Sequence, residues 1–296
     1  NNMSNYHQVA NSFNLDGAVK AMLSGSVEQL NACYECCDRH ADADSEKIAL
    51  YWQGKDGRKQ QYTFSQLKKW SSQFANFLKS QGIQTGDRIS GLLPRTPELL
   101  VVILGAWRIG AVYQPLFTAF GPKAIEHRLQ LAKSKLVVTD TANRSKLDEI
   151  AQCPQIMTVA DQHGHGLMDG DLDFWQKVEQ QSEHCDLVMQ NIQAPFLLMF
   201  TSGTTGPAKP LEVPLKALIA FGNYMKDAIG LREEDNFWNI ADPGWAYGLY
   251  YGITGPLLLG HATLFYEGGF SIESLCQIIE DYKIKYIKYI RKRSKI

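Results

Sequence analysis

From about Ser65 onward, segments of helical and strand-like periodicity alternate, and this alternation constrains the fold of the chain more than any single residue does. Leu67, Trp70, Phe74, Phe77 and Leu78 recur at helical spacing before Gly82, which predicts a helix burying one face. RISGLL from Arg88 reads as a strand, Pro97 to Ile109 as a helix closed by Gly110, and AVYQPL from Ala111 as a short strand. KLVVTD from Lys135 and FLLMF from Phe196 are further strand-like runs with helix-like segments between them. The pattern predicts an α/β fold of mixed, largely parallel sheets flanked by helices. The least regular stretch, 160–173, is rich in Gly, His and Asp and reads as a surface loop or subdomain joint. Its glycines at 164, 166 and 170 miss the spacing of a dinucleotide fingerprint.

A chain of 296 residues can bury roughly three quarters of its unfolded surface, enough for one large or two moderate cores. With 45% hydrophobic and 21% charged residues, it has the composition of a folded enzyme rather than a disordered or membrane-embedded chain. No basic-then-apolar leader and no run of about 18 apolar residues is visible, so no membrane span is expected. Six dispersed cysteines suit a reducing compartment, which points to the cytoplasm. Net charge is −1, but seven of the 30 basic residues fall in the last fourteen positions, which hold no acid. The remaining 23 face 31 acidic side chains in residues 1–282, a net of −8, and this acidic body does not invite specific nucleic-acid binding.

The strongest chemical signal is TSGTTGPAK, Thr201 to Lys209, directly after the apolar run and before a helix-like stretch from about Leu215. Gly203 and Gly206 allow the backbone to turn so that N–H groups converge, while Thr201, Ser202, Thr204 and Thr205 add hydroxyl donors. Lys209 supplies a mobile positive charge. A strand, a loop of small and hydroxyl residues, and a cation before a helix together make a cradle for nucleotide phosphate. The loop is not the Walker pattern, because no Gly-Lys-Ser/Thr triplet closes it. Its bland alternative is a solvent-exposed Ser/Thr/Gly turn.

TSGTTGPAK resembles the phosphate-loop signature of the AMP-forming adenylating ligases, the AMP-binding enzymes. YTFSQL from Tyr62 is similar to the first core motif of that family, and LGAWRIGAVYQPL from Leu104, with His127 and Arg128 after it, to the second. NACYECCDRHA from Asn31 and the segment from Ala241 to Phe270 are similar to the acetyl-CoA and medium-chain acyl-CoA synthetase branch. The resemblance implies two half-reactions with ATP, Mg2+ and CoA. A short or medium-chain carboxylate first forms acyl-AMP and pyrophosphate, and the CoA thiol then displaces AMP. It implies that Thr201, Ser202, Gly203, Thr204, Thr205, Gly206 and Lys209 bind the ATP phosphates, with Trp245, Tyr247 and Gly248 beside the acyl and adenylate pocket. A packed aromatic turn is the alternative for those last three.

By the same resemblance, residues 31–282 form an incomplete large N-terminal domain, preceded by an extension over 1–30 and followed by a basic, low-complexity tail over 283–296. The magnesium-binding glutamate motif, the ribose-binding aspartate, the hinge and the adenylation lysine of the small C-terminal domain are expected beyond this sequence, so no catalytic residue is assigned. The tail, KIKYIKYIRKRSKI, uses five residue types and suggests a frameshift; the alternative is a selected basic tail that binds polyanions. Around Lys209, Pro207, Ala208 and Pro210 depart from the usual proline-before, glycine-after pattern of the family. YGITG, Tyr251 to Gly255, lacks the glutamate of the adenine and magnesium motif and lies too soon after the loop to serve as it.

Cys33, Cys36, Cys37 and His40 fall at i, i+3, i+4 and i+7, on one helix face. A buried cysteine-lined face is expected rather than a zinc site, because turns of a single helix rarely close a tetrahedron. Two other functional classes stay open beside the ligase. One is a non-catalytic nucleotide-binding fragment, the other an interaction protein acting through the basic tail.

Overall fold

The computed structural model describes residues 14–161, 163–201, 206–284 and 286–288. Four residues of the expected phosphate loop, Ser202, Gly203, Thr204 and Thr205, and most of the basic tail lie outside them.

Helix α1, Phe64–Ser80, starts where Thr63 and Gln66 form a reciprocal capping box, each side chain accepting from the other's backbone N–H at 3.1 and 2.8 Å. Leu67, Phe74, Phe77 and Leu78 are buried as their spacing predicts, and Gly82, at φ 78°, turns the chain away. Trp70 is half-buried against the rings of Tyr62 and Trp175. Helix α2, Pro97–Arg108, opens on a proline, which suits a first turn that needs no N–H. It packs directly on α1. A Cβ at Gly105 would lie 2.6 Å from Phe74 Cδ1 and 3.0 Å from the Ser71 carbonyl, so the absence of a side chain sets this close approach.

Among the described residues the main sheet has seven strands in the order β7-β6-β5-β3-β4-β8-β9. They are β3 (Arg88–Leu92), β4 (Val112–Pro115), β5 (Leu136–Asp140), β6 (Gln155–Val159), β7 (Leu172–Asp173), β8 (Pro195–Thr201) and β9 (Lys209–Pro214). All pairings are parallel except that of the edge strand β9, which runs antiparallel to β8. The apolar runs read as strands from sequence therefore sit in one doubly wound sheet, and helix α3, Pro122–Ala132, crosses from β4 to β5. A second sheet of order β11-β1-β2 joins β1 (Ile48–Gln53), β2 (Lys59–Thr63) and β11 (Thr263–Tyr266), with β1 and β11 parallel. Strands β10 (Phe237–Asn239) and β12 (Tyr286–Lys288) pair in parallel.

The irregular segment 160–171 connects two neighbouring strands of the main sheet. It is pinned at its end by Asp171, which accepts two hydrogen bonds from Arg144 at 2.8 and 3.0 Å and one from Thr158. The cysteine segment winds as a π-helical turn, Tyr34–Asp38, and Cys33, Cys36 and Cys37 are all fully buried. Burial pushes their thiols up, Cys33 to about 12, which disfavours the thiolate needed for reaction or metal binding. The same turn carries Asp38 into a buried ion pair with Arg108, at 2.5 and 2.9 Å. Thr254 of YGITG is fully buried and donates to the Leu249 carbonyl, inside a π-helical turn spanning Tyr250–Thr254. Among the described residues, no helix is long and apolar enough to cross a membrane.

Candidate functional site

Strands that run parallel bring their carboxyl ends to one edge of the sheet. From β3 the chain turns towards β4, whereas from β5 it turns the opposite way to β6, so the loops after β3 and β5 part and leave a crevice. A cleft of about 550 Å³ occupies that place. Pro94 and Arg95 line it after β3, Thr118 after β4, and Asp140 and Asn143 at the end of β5. Trp52, Tyr266 and Glu267 close it from the carboxyl ends of β1 and β11. Arg95 donates to the Ile240 carbonyl at 2.8 Å and lies over the Phe270 ring, and burial lowers its pKa. Burial also raises the Glu267 carboxyl pKa, opposed by the 2.7 Å hydrogen bond it accepts from the Trp52 indole.

The TSGTTGPAK segment, the expected phosphate loop, leaves the same edge from β8, whose residues 196–199 are buried. Its two arms meet as a hairpin in which Thr201 pairs with Lys209, and the Thr201 hydroxyl donates to the Lys209 carbonyl at 3.4 Å. Gly206 adopts φ 93°, a left-handed turn that glycine accommodates without strain. Lys209 is exposed. The expected order of strand, loop, cation and helix gains one element: Lys209 opens the edge strand β9, and the helix follows at Ala217, close to the expected Leu215. Pro210 and Pro214 suit the added strand, because prolines lack the N–H a helix interior requires yet are tolerated on a sheet edge.

Helix α3 braces the return arm. His127 Nε2 donates to the Ala208 carbonyl at 2.9 Å, and the Arg128 guanidinium lies 5.3 Å over Phe200 and 4.2 Å over Phe120. Phe120 in turn stands edge-on to Trp245 at 5.2 Å, and Phe117 packs on the same indole at 5.1 Å. A continuous contact therefore runs from Trp245 through Phe120 and Arg128 to Phe200, the residue preceding Thr201. Tyr247 turns instead into a cluster with Tyr224 and Tyr251, where burial and the 3.4 Å contact with the Tyr224 hydroxyl push its pKa up. Gly248 packs against backbone: a Cβ there would meet the Asp242 carbonyl oxygen at 2.3 Å.

Of the residues read from sequence, Thr201, Gly206, Lys209 and Trp245 are thus gathered at the carboxyl edge, and Tyr247 and Gly248 pack just behind. Phe117, Phe120, Arg95 and Asp242 were not singled out. The position of FTAF immediately after the β4 run was the available signal for the first two. Among the described residues, no group of three or more His, Cys, Asp or Glu is placed to hold a metal ion.

Both the sequence and the fold match known proteins. The chain is 34% identical over 284 residues to the acetyl-coenzyme A synthetase of Bacillus subtilis (strain 168), covering 94% of this chain and 49% of the relative. It is 32% identical over 259 residues to the acetyl-coenzyme A synthetase of Psychromonas ingrahamii, covering 81% of this chain and 40% of the relative. The crystal structure of a Brucella canis acyl-CoA synthetase superposes with a TM-score of 0.87 at 51% identity, over 92% of this chain and 49% of that one. The chain thus spans about half the length, or less, of these relatives. A family model described as AMP-binding enzyme matches residues 37–290. With this match over most of its length, the chain belongs to the AMP-binding enzyme family.

Proposed function

We propose that this chain contributes the nucleotide-phosphate and carboxylate-handling part of an acid–thiol ligase. The reaction joins a short or medium-chain carboxylic acid to ATP, giving acyl-AMP and pyrophosphate, and then transfers the acyl group to CoA. The observation that carries this reading is the contact chain from Trp245 to Phe200, which couples the aromatic segment to the base of the phosphate-loop segment at one edge of the sheet. The acetyl- and acyl-CoA synthetases among its relatives support it.

In the first step a carboxylate oxygen attacks the α-phosphorus and pyrophosphate departs with growing negative charge. Backbone N–H groups and hydroxyls of Thr201, Ser202, Gly203, Thr204, Thr205 and Gly206, with the Lys209 ammonium, would stabilise that charge. Trp245, Tyr247 and Gly248 would border the acyl and adenylate pocket, Trp245 by contact and the other two by fixing its wall. In the second step the CoA thiolate attacks the acyl carbonyl and AMP leaves. The acidic body and free cysteines support a cytoplasmic setting.

Carboxylate-dependent exchange between ATP and pyrophosphate tests the proposal. Exchange supports the ligase; ATP binding without exchange favours a non-catalytic nucleotide-binding fragment. Lys209→Ala should weaken ATP binding by about 1.5 to 3 kcal/mol, the scale of a charged hydrogen bond. Unchanged affinity in a folded variant would remove Lys209 from the site.

A further inference from the structure

A second cleft, of about 480 Å³, lies at the opposite end of the β1 and β11 strands from the switch-point cleft. Lys47 immediately precedes β1 and His261 lies two residues before β11, whereas Trp52 and Tyr266 face the first cleft from the far ends of the same strands. A strand of six residues spans about 20 Å, so the two clefts are separate. Arg39, His40, Lys47, Lys226 and His261 line the second cleft against an apolar wall that includes Leu258 and Leu259.

Arg39 is already engaged, donating to the Glu35, Met22 and Leu258 carbonyls and pairing with the Glu35 carboxylate. Lys47 and Lys226 differ. Among the described residues neither makes an ion pair, and Glu233, the acid lining the cleft, pairs with no cation either. Gly260, at φ 75°, leaves this surface bare. A Cβ there would lie 2.8 Å from His40 Nδ1 and 2.9 Å from Lys47 Nζ, so the missing side chain keeps both nitrogens open. His40 Nε2 donates to the Leu258 carbonyl at 3.0 Å, which leaves Nδ1 as an acceptor in the neutral ring. The half-buried Lys47 and exposed Lys226 ammonium groups, in no ion pair among the described residues and outnumbering the Glu233 carboxylate, stand beside an apolar wall and a ring acceptor, a setting that matches an anionic phosphate retaining a proton.

We propose that this amino-edge cleft binds a small soluble phosphate through Lys47 and Lys226: inorganic monohydrogen phosphate, whose hydroxyl donates to His40 Nδ1, or a phosphomonoester in the monoanionic form that keeps a P–OH for the same contact. The test uses the full chain carrying Lys209→Ala, so that phosphate at the loop segment does not contribute. Thermal unfolding is followed against inorganic phosphate, with chloride at matched ionic strength as control. A saturable rise in melting temperature is expected, its apparent affinity falling about tenfold or more on adding Lys47→Ala and recovering substantially with Lys47→Arg, as loss of one charge-assisted hydrogen bond implies. No saturable response to phosphate, or an unaltered one in a folded Lys47→Ala chain, would overturn the proposal. Glycerol phosphate and phosphatidate vesicles form two further arms. Response to glycerol phosphate supports a soluble ligand, and binding to the vesicles alone would refute one.

Discussion

Replacing Gly248 by alanine probes how the aromatic segment is seated. The added Cβ would stand 2.3 Å from the Asp242 carbonyl oxygen, 2.6 Å from its carbon and 2.7 Å from the Ala241 carbonyl oxygen. All three are backbone atoms, so no rotamer change relieves the clash; the turn must move by roughly 1 Å to restore contact distances. Overpacking of this kind typically costs about 1 to 3 kcal/mol. For a chain of this size each kcal/mol corresponds to about 2 to 4 °C, so the melting temperature should fall by about 2 to 12 °C. The displacement is directed at the site, because the same turn holds Gly244 against Phe117, where a Cβ would approach the Phe117 Cα at 2.6 Å. Moving the turn therefore disturbs the packing of Trp245 on Phe117 and Phe120. Differential scanning calorimetry together with carboxylate-dependent quenching of tryptophan fluorescence measures both effects. An alanine variant with the parental melting temperature and carboxylate response would refute the inference that Gly248 is required for close packing.

Three further outcomes follow from the buried polar groups. Arg108→Ala leaves the Asp38 carboxylate buried without its partner and should cost about 3 to 5 kcal/mol in chemical denaturation, whereas Arg108→Met with Asp38→Leu should recover most of that loss. Burial, then the neighbouring Arg39 charge, lowers the His40 pKa from 6.5 to about 4. Above pH 6.5 the ring is neutral in both states, but between 6.5 and 4 the unfolded chain takes up a proton that the folded chain resists. Stability should fall across that window by on the order of 3 kcal/mol, and His40→Gln should remove this part of the decline in pH-dependent denaturation curves. His127→Ala frees the Ala208 carbonyl and should weaken ATP binding by about 0.5 to 1.5 kcal/mol while lowering the melting temperature little, as calorimetric titration and thermal unfolding would show.

The elements legible in the sequence are those whose signal is local. The α1 periodicity and the buried β5 and β8 runs each declare themselves within one window, and the fold honours them. The hairpin after the phosphate-loop segment was read as the approach to a helix, because the decisive feature, pairing of Lys209 with Thr201, depends on β8 as a partner. Tyr247 reads from sequence as a neighbour of Trp245, two residues away. A helical turn from Ala246 sends the two rings to different neighbours, one to Phe117 and Phe120, the other to the tyrosine cluster. The three cysteines were legible as a buried face although the turn they occupy is π-helical, since the burial of small apolar groups tolerates a change of pitch that a metal site would not.

The proposed site draws on stretches around 117–120, 127–128, 200–201, 206–209 and 242–248, which no local pattern connects. What brings 117–120, 127–128 and the two arms 200–201 and 206–209 together is the direction of the strands: the chain leaves β4 and β8 at the same edge, and α3 begins there before crossing to β5. Arg128 is the hinge of that arrangement because one planar cation can face two rings at once, Phe120 on the side of Trp245 and Phe200 on the side of the loop. One of its amino groups is fixed to the Ala124 carbonyl within α3, so the orientation of the guanidinium follows that of the helix. A lysine at 128 would keep the charge and lose the plane. The coupling between the aromatic segment and the phosphate-loop base thus rests on the shape of one side chain, held by a helix whose position the sheet order dictates.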